Sequence, residues 1–112
     1  ALEVHKNLGP GLLESVYEYA LVKELQLRNI GVLYQVKVPL YYKGFDTGKE
    51  FFIDILVENE IVIEVKSFDS LHPVHQAQLL SYLKLSDKKM GFLINFNVAL
   101  IKDGFKRMVN NY

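Results

Sequence analysis

Residues 51–67 read FFIDILVENEIVIEVKS, and three of them, Asp54, Glu64 and Lys66, are charged side chains set inside two apolar runs. Alternation along an extended chain puts Phe51, Ile53, Ile55 and Val57 on one face of the first run and Phe52, Asp54 and Leu56 on the other. In the second run Ile61, Ile63 and Val65 face away from Val62, Glu64 and Lys66. A two-residue turn at Asn59 and Glu60 would set Asp54 against Val65 and lay charged faces on apolar ones. A three-residue loop, Glu58 to Glu60, is therefore predicted, with Val57 opposite Ile61, Asp54 opposite Glu64, and Asn59 or Glu60 left-handed. Two carboxylates at cross-strand distance repel unless a cation or proton lies between them, and Lys66 offsets only one of the two charges. A hard divalent cation such as Mg²⁺ takes carboxylate oxygens together with water and phosphate oxygens. A lysine beside it can orient or deprotonate an attacking water and steady charge on a phosphate. A solvated polar face or a structural salt bridge accounts for the same hairpin, so these residues alone leave both readings open.

The elements that must carry this hairpin follow from periodicity. Residues 1–8 read as a helix remnant closed by Gly9, Pro10 and Gly11, so the chain is expected to begin inside a longer one, truncated at its N-terminus. From Leu12 to about Arg28 apolar residues recur at three and four, a helix ended by Asn29 and Gly31. YQVKVPLYY alternates as a strand, KGFDTGK supplies a turn, and strands follow at about 50–57 and 61–67. Pro73 opens a helix that runs to about Ser86. MGFLINF is a short strand, VALI a further candidate strand, and GFKRMVNNY a short terminal helix. With no repeat or linker, 112 residues make one domain over 1–112. Its class is α/β (α+β), with a mixed central sheet flanked by helices.

Composition narrows the setting. Half the residues are hydrophobic, which fits a globular domain, and no apolar run reaches the roughly 18 residues of a membrane span. The absence of cysteine removes disulfides and thiolate metal sites and fits a cytoplasmic location. Net charge is zero, but residues 84–112 hold six Lys or Arg against two Asp or Glu. That basic segment, Lys84, Lys88, Lys89, Lys102, Lys106 and Arg107, is where phosphate contacts to a nucleic acid are expected; solvated lysines at helix ends are the plainer account.

Further residues add to the hairpin. Glu14 stands in GPGLLESVYE at the start of the first full helix with Tyr17 one turn on, and Gln78 and Tyr82 are four apart on the helix after the hairpin. With Gly11, Glu14 and Tyr17 in LGPGLLESVY, Asp54, and Glu64 and Lys66 in IEVK, the chain resembles the GxxExxY proteins of the PD-(D/E)xK nuclease superfamily. LHPVHQAQLLSYLK, LINF and LIKDGFKR extend the resemblance over nearly the whole chain. The resemblance implies a restriction-endonuclease-like core with a four-stranded mixed sheet and a Mg²⁺-dependent (or Mn²⁺-dependent) phosphodiesterase site. Asp54 and Glu64 would ligate the metal, Lys66 would serve water and phosphate, and Glu14 would complete the acidic cluster. Gln78 and Tyr82 are similar to the Q-xxx-Y element of the recombination nucleases, which supports the site and the nucleic-acid backbone. The proline that often precedes the first acid is replaced by Ile53.

Other chemistries find less. His72 and His75 lack the further ligands of a zinc site, His5 reads as helix surface or a satisfied hydrogen-bond partner, and no nucleophile elbow or phosphate-binding loop is present. The expectation is a metal-dependent nuclease acting on DNA ahead of RNA, with a homodimer as one way for so small a chain to grip its substrate. The alternative is a catalytically inactive nuclease-fold module that binds nucleic acid or a protein.

Overall fold

The computed structural model describes residues 1–110. Helix α1, Leu2–Leu8, and helix α2, Glu14–Leu27, are followed by strands β1, Val32–Tyr42, β2, Phe45–Val57, and β3, Ile61–Lys66. Helix α3, Pro73–Ser86, leads to β4, Met90–Asn95, a short 3-10 helix at Ile101–Gly104, and β5, Phe105–Val109. The strands form one sheet in the order β1-β2-β3-β4-β5, in which β3 and β4 run parallel and the other neighbouring pairs antiparallel. The connection between those two is α3, as a parallel pair requires a crossover.

The sheet is the middle of three layers. On one face Tyr17, Leu21 and Val22 of α2, with Val4 of α1, pack on Ile55, Val57, Ile63, Val65, Ile94 and Phe96. On the other, Leu79 and Leu83 of α3 pack on Phe51, Ile53, Leu56, Val62 and Leu93. Gly91 of β4 lets α3 approach, since a Cβ there would lie 3.0 Å from the Val62 carbonyl and 3.1 Å from the Leu83 side chain. Strand β3 is covered on both sides, which is why IVIEVK is apolar at nearly every position.

The hairpin register follows the burial argument: Val57 pairs with Ile61, Leu56 with Val62 and Ile55 with Ile63. The left-handed residues of its loop are Glu58 (φ 51°) and Asn59 (φ 57°), so Glu60 takes no such part. The Glu58 carboxylate accepts from Gly31 N at 2.9 Å, tying the loop to the start of β1.

Four expectations are corrected. The sheet has five strands rather than four, because the segment read as a terminal helix is β5, paired to β4 from Met90–Val109 to Ile94–Phe105. Too few residues are available there for a self-supporting helix, and the open edge of β4 satisfies their backbone groups. Asn111 and Tyr112, the end of that expected helix, lie outside the described residues. VALI is irregular and then enters the 3-10 helix rather than forming a strand. The turn expected over KGFDTGK is confined to Lys43 and Gly44, and β2 begins at Phe45. Finally, Phe51 and Ile53 belong to the α3 layer while Ile55 and Val57 belong to the α2 layer, so the predicted single face of β2 changes sides at Asp54. The cause is local: Gln35, which would oppose Asp54, has φ 50°, and the pairing passes from Tyr34–Ile55 to Val36–Ile53 without it.

Candidate active site

Where the β2–β3 ladder stops, side chains take over its hydrogen bonding. Beyond the Ile55–Ile63 pair, Val65 N donates to Asp54 Oδ2 at 2.9 Å and Asp54 N donates to Glu64 Oε1 at 3.4 Å. The two acids are thereby fixed by each other's strands at the point where β2 leaves β3. Glu64 is 5 % exposed. Burial, and then the charge of Asp54, push its carboxyl up to about 8, against a smaller opposing effect of Lys66. Lys66 stands two residues further along β3, its Nζ 5.8 Å from the centre of the Phe68 ring. Among the described residues it forms no salt bridge, which leaves its ammonium available to a ligand.

Helix α2 brings its first turn to the same place. Ser67 N donates to Glu14 Oε2 at 3.3 Å, and Ser67 Oγ donates to the Leu12 carbonyl at 2.7 Å, joining the end of β3 to the segment before α2. Gly11, at φ 93°, occupies a conformation suited to glycine within that segment. Tyr17 is fully buried, stacked on Phe96 with ring centres 4.5 Å apart. Its hydroxyl accepts from Leu12 N at 3.0 Å and donates to the Gly9 carbonyl. Gly11, Glu14 and Tyr17 thus act as one unit: Tyr17 pins the 9–12 loop, and the loop and Glu14 hold Ser67 beside Lys66.

The remaining residues divide. Tyr82 of α3 stacks on Phe51 at 4.2 Å, and its phenol is pushed up by burial and then by the charges of Glu64 and Asp54. Gln78 is exposed on the same helix. Lys88 donates to the Asn59 carbonyl at 2.9 Å and, with Lys89, lies at the Ile61–Met90 end of the sheet, away from Lys66. Lys84 is exposed near the end of α3, Lys102 is in the 3-10 helix, and Lys106 and Arg107 lie on the edge strand β5. His5 Nε2 lies 2.7 Å from the Val98 carbonyl, the satisfied partner role. His75 Nδ1 accepts from His72 N at 3.1 Å, which employs the pair as a helix cap.

Three residues absent from the sequence-level set also belong here. Gln35 Nε2 donates to Glu18 Oε1 at 2.8 Å and approaches Asp54 Oδ1 at 3.5 Å. Burial raises the Glu18 carboxyl, and Asp54 and Glu14 raise it further, while Gln35 lowers it. Asn95, 2 % exposed and paired with Lys66 across the parallel ladder, accepts from Phe68 N and donates to the Phe68 carbonyl, both at 3.0 Å. It clamps the chain just after Lys66. Glu18 was visible in the sequence one helical turn beyond Glu14; nothing in the sequence marks Gln35 or Asn95.

Among the described residues no three His, Cys, Asp or Glu side chains close up as a metal cage. A site that uses one or two carboxylates, with water and substrate oxygens completing the shell, needs no such cage. The sequence profile of the PD-(D/E)XK nuclease superfamily matches residues 1–108, and the chain belongs to that superfamily. Its mixed α+β architecture agrees with that fold. Nucleases of this superfamily generally use divalent metal ions. Among curated protein sequences no relative matches the chain.

Proposed function

We propose that this protein is a metal-dependent nuclease of the GxxExxY type, hydrolysing phosphodiester bonds in DNA in preference to RNA. The observation that carries the reading is a buried Glu64 tied to Asp54 where the two strands part, with Lys66 on the same strand making no salt bridge among the described residues. A purely structural hairpin has no reason to bury one acid against another. The donor set suits a hard divalent cation: Asp54 and Glu64 would hold it, and when bound it would polarise the phosphate and acidify water. Lys66 orients the attacking water and faces the charge that grows on the phosphate oxygens. Glu14 keeps the Lys66–Ser67 segment in place, and Tyr82 braces Phe51, three residues before Asp54 on β2. Water attack at phosphorus with departure of the 3′ oxygen leaves a 5′-phosphate. Lys106 pairs with Leu93, the residue that pairs on its other side with Glu64, and Lys102 precedes it in the 3-10 helix, so these two members of the basic segment are the candidates for contacts to flanking phosphates.

The test is cleavage of plasmid and single-stranded DNA in Mg²⁺ or Mn²⁺, with chelator and with Glu64→Gln and Lys66→Ala. Loss of ~10²–10³-fold in rate in each variant, and complete loss with chelator, is expected. Cleavage indifferent to all three refutes the mechanism. Metal-independent DNA binding without turnover would establish the inactive binding module instead.

A further inference from the structure

Beside the acids the surface opens into a groove of about 510 Å³ between α2 and β1. Tyr19 of α2 and Tyr34 of β1 line it, 69 % and 62 % exposed, together with Val22, Glu18 and Gln35. Consecutive residues of a regular strand point to opposite faces, yet Tyr34 and Gln35 line the same groove. The left-handed backbone of Gln35 (φ 50°) permits this, and a non-glycine residue held in that region is a strained arrangement of the kind that clusters at functional sites. Gln35 also connects the groove to the proposed chemistry, because its amide group lies 3.5 Å from Asp54 Oδ1.

We infer that this groove receives an unpaired nucleobase of the substrate strand, next to the phosphodiester presented to Asp54; the inference rests on the nuclease reading. Two exposed aromatic rings offer stacking surface, the Gln35 amide and Glu18 carboxyl offer a polar edge, and the volume accommodates a base with its sugar. Lys23, whose Nζ is 6.0 Å from the centre of the Tyr19 ring, supplies a cation at the rim for a backbone phosphate. Strand preference follows: a base must leave its duplex to enter, so single-stranded, frayed or flapped segments bind ahead of intact duplex.

The experiment is a binding series with a fluorescein-labelled single-stranded DNA 12-mer and its twelve single-abasic derivatives, in EDTA so that no metal-dependent cleavage occurs. One abasic position is expected to weaken binding to the wild type by ~5- to 150-fold, the range for one stacked base. That penalty should vanish in Tyr19→Ala and Tyr34→Ala, whose side chains are exposed and whose folding is checked by circular dichroism. An abasic profile that is flat, or unchanged by both variants, overturns the base site while leaving metal-dependent cleavage, measured separately, to stand. A wild type that binds no 12-mer, either in EDTA or with Ca²⁺ in its place, overturns the base site, whereas the nuclease reading falls only if the separate cleavage assay is also negative. A change in oligomeric state in the variants with no change in the abasic profile assigns the groove to contact between copies and likewise overturns the inference.

Discussion

Replacing Glu64 by glutamine keeps the shape of the side chain and an oxygen acceptor for Asp54 N while removing the charge that burial and Asp54 make costly. The folded protein holds the Glu64 proton up to about pH 8, whereas the unfolded chain releases it near 4.5. Wild-type stability relative to the variant is therefore intact below pH 4.5, declines as pH rises through the interval, and is fully lost above pH 8. The interval from 4.5 to about 8, at ~1.4 kcal/mol per pH unit, amounts to at most ~5 kcal/mol. That is a large fraction of the ~5–15 kcal/mol that holds a domain together. Urea unfolding of both proteins in EDTA at pH 5, 6.5 and 8.5 measures it, because groups common to the two cancel in the difference. The variant should gain several kcal/mol over the wild type between pH 5 and pH 8.5, and added Mg²⁺ should narrow the gap by stabilising the wild type. A difference constant to within ~0.5 kcal/mol across that range would refute the claim that Glu64 is desolvated against Asp54.

Other substitutions test the scaffold. Tyr17→Phe keeps the stack on Phe96 but strips the hydroxyl from Leu12 N and the Gly9 carbonyl, and should cost ~1–3 kcal/mol in denaturant unfolding. Gly104→Ala would place a Cβ 2.0 Å from the Asn95 carbonyl oxygen, so ~1–3 kcal/mol or more should be lost; an unchanged melting temperature would contradict that packing. Gln35→Gly relieves the left-handed strain and gives up exposed hydrogen bonds, two effects of ~1 kcal/mol that nearly cancel. Its melting temperature should therefore hold while DNA cleavage falls roughly 10- to 100-fold, and preserved cleavage would remove Gln35 from the site.

Periodicity carried the helices well where both ends were punctuated: Pro73 opens α3 and the helix ends at Ser86, as its sequence predicts. The β2–β3 register was likewise legible, because only one loop length kept the apolar faces together. β5 was not, since FKRMV has no periodicity strong enough to oppose a helix, and its state depends on the free edge of a strand ten residues earlier. Glu18 shares helix spacing with Glu14, but its membership of the acidic cluster depends on where β1 lies beside α2.

Residue type and local spacing, taken without coordinates, determined the helices α2 and α3, the hairpin loop, and the presence of Asp54, Glu64 and Lys66 on neighbouring strands. These rest on interactions within a few residues and on the cost of exposing an apolar face, both of which can be read along the chain. Only the tertiary structure decided that β2 changes faces at Asp54, that Tyr17 holds the 9–12 loop, that Asn95 clamps the segment after Lys66, and that Gln35 turns toward Glu18. Each of these depends on a partner many residues distant, and the energy of such a contact exists only once the layers have closed on one another.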